Sequence, residues 1–266
     1  MTTATSHNVK EDYDRLGYHI VDQPVLPERD VQAAVRGMDA IRQGTFETGS
    51  PPLFDHWKPG DDPNKLCKVE MPQIADLSIR KLISSSILGE WAARITGARM
   101  VQVWWVQLLY KPPAPKGHTA PTQVGWHRDM QYWNEWEPGS ELFTAWVALS
   151  DVTEDAGPMI FVPGSHRWDI DDGGDFFNQD MNSQKSAFKV PDGQRWTEVL
   201  DLLPAGGFSF HHCLTIHGSG PNHSNGPRRS FAIHLRTENS SLRPGTQPAL
   251  TRYIKDENLC PVIYSK

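Results

Sequence analysis

His217-Gly-Ser-Gly-Pro-Asn-His-Ser-Asn-Gly-Pro-Arg-Arg-Ser-Phe-Ala-Ile-His-Leu-Arg236 reads as the end of one strand, a turn rich in Gly, Pro and Asn, and a second strand. Alternation in that second strand places Arg228, Ser230, Ala232 and His234 on one face, and Arg229, Phe231, Ile233 and Leu235 on the other. The apolar face calls for a covering layer. The opposite face points a guanidinium into an interior, where an unpaired charge is very costly. Two partners would satisfy Arg228: the carboxylate of a bound cosubstrate, or an Asp or Glu of the chain itself.

Working outward, short apolar segments recur at Val101 to Tyr110, Leu142 to Leu149, Met159 to Val162, Gly207 to Ile216 and Ser230 to Arg236, with turn residues between them. Ahead of them the pattern predicts a helix over Val9 to Leu16 and a strand over Tyr18 to Val21. A helix begun by Pro27, with Val31, Ala34, Val35 and Met38 on its apolar face, should follow, and a further one over Leu77 to Thr96. Residues 44–63 read as a surface loop. The expected fold class is mostly β with flanking helices (α+β), a sandwich or barrel with helices packed on one outer face. One domain over residues 1–266 is expected, with a helical N-terminal part to about residue 99 and a β core over about 100–240. Residues 167–196, polar and rich in Asp, Gly and Asn, are expected to act as a lid.

Composition excludes several classes. A formal charge of −6 offers no basic field for nucleic acid. Three widely spaced cysteines, Cys67, Cys213 and Cys260, suit reduced thiols better than a disulfide framework. No apolar run is long enough to span a bilayer, and the first ten residues are polar, so a cytoplasmic location without membrane insertion is expected. The glycosylation sequons at Asn222 and Asn239 then count as chance matches.

In Gly125-Trp126-His127-Arg128-Asp129, an extended backbone would turn His127 and Asp129 to one face and Trp126 away from it. Alone, such a triplet reads more readily as a surface His beside a salt-bridged Asp. His217 supplies a third candidate ligand. Two imidazoles and one carboxylate on one face of an octahedral ion leave three positions open, the arrangement of oxygen-activating iron(II). His211 shares the face of His217 by alternation, so pattern alone leaves it as a neighbour of the site. His166 reads as a structural turn residue, His223 as solvated within its turn, and His234 as a pocket residue. Trp104, Trp105, Tyr132, Trp133 and Trp136 suit core packing or contact with a substrate.

These residues resemble the phytanoyl-CoA dioxygenase family of iron(II)- and 2-oxoglutarate-dependent oxygenases. His127-Arg-Asp129, Asp155-Ala-Gly-Pro-Met-Ile-Phe-Val-Pro-Gly-Ser-His166 and His217 through Ser230 are similar to its three diagnostic blocks, in the family's order. The likeness runs from about Tyr13 to Arg236. It implies a double-stranded β-helix (jelly-roll, cupin-like) core. His127, Asp129 and His217 would bind Fe(II), and Arg228 with Ser230 would hold the distal carboxylate of 2-oxoglutarate. Trp146 would lie beside that cosubstrate, and Gln107 is a looser match. The implied reaction uses O2 to hydroxylate, or otherwise oxidise, an unactivated C–H bond of a small-molecule metabolite of natural-product or lipid metabolism, with release of succinate and CO2. Related halogenases carry a small residue in place of the metal carboxylate, so Asp129 speaks against halogenation. Two other classes stand beside this reading. A non-catalytic jelly-roll binding module has no use for three ligands and an inward Arg, and a cupin-like hydrolase or isomerase leaves Arg228 and Ser230 without a task. A CoA thioester would call for a basic patch, and Lys111, Lys116 and Lys185 are too scattered to form one. The prime substrate and the oligomeric state are not written in the sequence.

Overall fold

The apolar strand faces found by alternation are covered by the N-terminal helices. The structure is a computed structural model and describes residues 8–114, 122–170 and 174–266. Helix α1 (Val9–Leu16) is capped by the Asn8 side chain and ends at Gly17. The left-handed conformation of Gly17 (φ 78°) reverses the chain into strand β1 (Tyr18–Val21). Helix α2 (Glu28–Arg42) follows Pro27 and buries Val31, Ala34, Met38 and Ile41. An irregular loop, bridged once at Leu53 and Glu70, leads to β2 (Cys67–Glu70).

The single helix expected over Leu77 to Thr96 is instead two, α3 (Leu77–Ile83) and α4 (Ser86–Thr96). The Ser84 hydroxyl donates to the Arg80 carbonyl at 2.7 Å, and Ser85 is extended. Serine hydroxyls compete for the backbone groups that would continue a helix, and three in a row end this one.

The remaining elements are β3 (Met100–Lys111), β4 (Val124–His127), β5 (Leu142–Ala148), β6 (Met159–Phe161), α5 (Met181–Ala187), β7 (Val199–Asp201), β8 (Phe208–His212), β9 (His217–Ser219), β10 (Arg228–Thr237) and β11 (Val262–Ser265). The larger sheet has the order β1-β8-β5-β10-β3-β11, with β2 also on β3; the smaller is β4-β9-β6-β7. The pairing is antiparallel, and the two sheets form a double-stranded β-helix. On the outer face of the larger sheet Val106, Leu108, Phe143, Phe210, Phe231 and Ile233 pack against Met38, Ile79, Leu88 and Ile95 of the helices. Each such side chain stabilises the fold by roughly 1.5–3 kcal/mol. Leu109, Trp146 and Ala232 meet Met159 and Phe161 between the sheets. Arg229, on the helix side as alternation requires, bonds both Asp39 oxygens at 3.2 Å.

Two strand boundaries differ from expectation. The strand expected over Gly207 to Ile216 stops at His212, where the Thr215 amide donates to the His212 carbonyl (2.8 Å), and the chain crosses to the smaller sheet. His217 therefore opens a strand instead of ending one. In β3 the pairing steps from His234↔Trp105 to Leu235↔Val103, leaving Trp104 as a bulge. Trp104 and Trp105 are both buried as a result.

Residues 174–178 run beside β4, with the Gly125 amide on the Phe176 carbonyl and the Asp175 amide on the Trp126 carbonyl, each at 3.0 Å. A Cβ on Gly125 or Gly174 would strike the facing backbone. Gln184 of α5 fastens the segment, accepting from the Trp126 amide and donating to the Asp175 carbonyl. Asn222, one of the two sequon residues, is fully buried and donates to the Lys111 and Gly226 carbonyls. His223 was expected in solvent and is half-buried, because its amide closes the turn onto the Asp155 carbonyl. Among the described residues no helix is long and apolar enough to cross a membrane.

Candidate metal centre

His127 ends β4 and His217 opens β9, and the two are direct partners across the strands, with ring centroids 4.1 Å apart. Asp129 is not on the strand; it begins a single 3-10 turn, Asp129–Tyr132. The expected strand alternation is thus replaced by a strand end and a turn, which still bring the carboxylate to the imidazoles. Oδ1 of Asp129 lies 3.7 Å from His127 Nε2 and 3.6 Å from His217 Nε2. One ligand atom from each residue falls within a 4.8 Å group.

The tautomers follow from hydrogen bonding. His127 Nδ1 lies 2.8 Å from the Gly125 carbonyl and His217 Nδ1 2.9 Å from the Thr215 carbonyl. A carbonyl only accepts, so each Nδ1 carries the hydrogen and each Nε2 turns its lone pair toward Asp129. Burial lowers the pKa of both imidazoles and keeps them neutral. Burial alone would raise the Asp129 pKa, but its imidazole surroundings, with the His211 N–H donating to Oδ2, outweigh it and hold the carboxyl well below the usual range. Two neutral imidazoles and an ionised carboxylate, all buried, are a donor set that fits iron(II).

A cavity of about 270 Å³ joins these residues to Arg228, Ser219 and Trp146. Arg228 is 1% exposed. It donates to the Gly157 carbonyl and to Ser219 Oγ (2.9 Å), and stands 5.1 Å from the centre of the Trp146 ring. Lys111, fully buried, donates to the same Ser219 hydroxyl at 2.6 Å. Burial and the Arg228 charge push the Lys111 pKa well down. Among the described residues neither cation has a carboxylate within 4.0 Å, and Nε of Arg228 is buried without a partner. This end of the cavity is therefore built for an anion.

Ser230 is buried beside Leu109, with its hydroxyl 3.5 Å from that carbonyl, and does not line the cavity. The hydroxyl against Arg228 belongs to Ser219. The sequence carried a signal for it, since Ser219 lies two residues after His217 on one strand face. Trp146 and Gln107 both line the cavity, and Gln107 donates to Glu70 at 3.4 Å. The buried pair Lys68–Glu70, with Trp105 Nε1 on Glu70 at 2.6 Å, was not anticipated because the short strand β2 follows a long loop. Trp126 turns away from the centre and packs with Val162, Trp168 and Ile216. His166 bonds the Asp14 carbonyl at 3.0 Å, a structural task. Lys185 pairs with Glu198 at the surface, and Lys116 lies outside the described residues.

Asp201 is the acid whose charge Arg228 feels. Burial lifts its carboxyl from 3.8 to about 7, with the Ser209 hydroxyl and Arg228 opposing. Between about pH 4 and pH 7 the folded chain holds a proton that the unfolded chain has released, so stability falls as pH rises through that window. Asp201→Asn should flatten this dependence, exceeding the parent by on the order of 4 kcal/mol at pH 8 and by little near pH 4. Thermal unfolding at both pH values checks it; parallel curves for the two proteins would refute the assignment.

Comparison with known proteins gives four findings. The family model for phytanoyl-CoA dioxygenase (PhyH) matches residues 13–230. The chain is 28% identical over 183 residues to the probable alpha-ketoglutarate-dependent hypophosphite dioxygenase of Stutzerimonas stutzeri, covering 66% of this chain and 59% of that relative, under two thirds of its length. It is 31% identical over 260 residues to the ectoine dioxygenase of Bordetella bronchiseptica, covering 91% of this chain and 78% of that one. Among solved structures, the epimerase SnoN in complex with Fe3+, alpha ketoglutarate and nogalamycin RO superposes with a TM-score of 0.69 at 25% identity, over 92% of each chain.

Proposed function

The chain belongs to the phytanoyl-CoA dioxygenase family of iron(II)- and 2-oxoglutarate-dependent oxygenases, and from that premise we propose that it oxidises a C–H bond of a small-molecule metabolite. Hydroxylation is the proposed outcome, in natural-product or lipid metabolism. His127, Asp129 and His217 hold the metal, and Arg228, oriented by the Ser219 hydroxyl, receives the distal carboxylate of 2-oxoglutarate. Iron(II), with O2 and 2-oxoglutarate, supplies the oxidising chemistry, and succinate and CO2 are its coproducts.

The chain's own residues do the rest. The Gly125 and Thr215 carbonyls orient the two imidazoles. Ser219 fixes the direction of the Arg228 guanidinium, and the Trp146 face walls the cosubstrate. Tyr132 and Phe176 line the cavity beside His127, and Trp133 lines it beside His234, so that an apolar substrate surface can be shielded from water. The observation that carries the reading is one cavity with three convergent metal-competent atoms and a buried Arg lacking any carboxylate partner among the described residues. A hydrolase or a sugar-binding module leaves that Arg unexplained. The same reading takes the chain as one oxygenase domain, since β1 and β11, from opposite ends of the chain, complete one sheet.

Succinate release from 2-oxoglutarate, with iron(II) and O2, should rise when a library of small metabolites contains the substrate, and mass analysis of the product should show one added oxygen. A protein that takes up no 2-oxoglutarate under anaerobic conditions would sink the proposal.

A further inference from the structure

The two oxygens of the Asp129 carboxylate have different surroundings. Oδ1 faces the Nε2 lone pairs of His127 and His217 and receives no hydrogen from either. Oδ2 accepts from Thr144 Oγ1 at 2.7 Å and from His211 Nε2 at 3.1 Å. Thr144 has a single hydroxyl hydrogen, and it goes to the carboxylate. His234 Nδ1, 2.9 Å from the same hydroxyl, must then carry a hydrogen and donate to Thr144. His234 is itself held between Trp104 and Trp133, at ring distances of 5.5 and 4.8 Å.

These three residues form one row across the larger sheet. Thr144 on β5 is the direct partner of His211 on β8 and of His234 on β10. All three are buried, with His211 and Thr144 at 1% exposure, so both donors to Oδ2 lie inside the fold. His211, which alternation left as a neighbour of the site, spends its Nε2 hydrogen on the carboxylate and has no lone pair there to offer a metal.

We propose that the row His211, Thr144 and His234 holds Asp129 to one-oxygen coordination and so keeps a coordination position open for O2. The inference rests on the oxygenase reading above. A carboxylate can take one or two positions on a divalent ion. With two imidazoles and a one-oxygen carboxylate, a six-coordinate ion has three positions left. A chelating 2-oxo acid would take two of these, and O2 would need the third. Turning Oδ2 onto the metal would fill that third position, and it would strip two buried donors of their acceptor. His211 and Thr144 are positioning residues, acting through Asp129.

The test reads the third position directly. Thr144→Val removes the hydroxyl at nearly constant volume, and Thr144→Ser retains it. Each protein is loaded anaerobically with iron(II) and 2-oxoglutarate, and chelation is followed by its visible charge-transfer absorption. Nitric oxide, a stand-in for O2, is then titrated by electron paramagnetic resonance. Thr144→Val should keep the absorption band while its nitric oxide affinity falls at least about tenfold, and Thr144→Ser should restore that affinity. Should Thr144→Val retain no iron, His211→Leu, which removes the other donor, is read in the same way. Nitric oxide affinity within twofold of the parent in the iron-loaded variant overturns the inference. Failure of the parent protein to show the absorption band would instead overturn the oxygenase reading on which it rests.

Discussion

Asp129→Ala is expected to abolish turnover and to lower iron(II) affinity by at least about 100-fold. Loss of an outer hydrogen-bond partner of a metal ligand costs about 10–100-fold, and loss of the ligand itself should cost no less. The position makes the effect larger still. Asp129 supplies the only negative charge among the three candidate ligands, and its Oδ1 lies within 3.7 Å of both imidazoles. Removing it also leaves the buried Thr144 hydroxyl and His211 N–H without their acceptor. Each abandoned donor costs about 1–3 kcal/mol, so the metal-free variant should melt below the metal-free parent. Metal content after dialysis, succinate release and thermal unfolding read these three effects. Full turnover by the variant would refute the metal assignment.

Arg228→Ala should raise the apparent KM for 2-oxoglutarate about 100-fold or more and leave kcat at saturation much less affected. A guanidinium–carboxylate pair contributes hydrogen bonds to a charged group, each about 1.5–3 kcal/mol, and every 1.4 kcal/mol is tenfold in affinity. The alternative, a purely structural internal ion pair, predicts the reverse: lower stability with an unchanged KM. The surroundings of Arg228 support the first case. Asp201 affects Arg228 through its charge but forms no ion pair with it within 4.0 Å, whereas Arg229, one residue on, binds Asp39 of α2. An unchanged KM in Arg228→Ala, measured by initial rates over a range of 2-oxoglutarate, would return the guanidinium to a structural role.

Much of this could be read before any fold was known. The helices at Val9–Leu16 and after Pro27, and the strand at Tyr18–Val21, are local: a cap, a Pro and an apolar period are sufficient to define them. The division of β10 into a helix-facing set and an inward set was equally legible, and so was the outward turn of Trp126, because alternation needs only one strand. Where it failed, a backbone event interrupted the period. Ser84 and Ser85 broke a helix, the bulge at Trp104 turned two consecutive tryptophans inward, and the turn after His212 carried the chain from one sheet to the other.

By itself, then, the sequence determined which residue types gather at the centre: His127, Asp129, His217 and an inward Arg228. Only the tertiary structure decided which atoms meet. It put Ser219 against Arg228 and left Ser230 on the Leu109 carbonyl. It made His211 a donor to Asp129, and it aligned Thr144 and His234 in the same row. The physical reason is the reach of each signal. A two-residue period reports the face of a single strand, whereas a hydrogen bond between strands depends on their register, and register is settled by turns, bulges and packing far away in the chain.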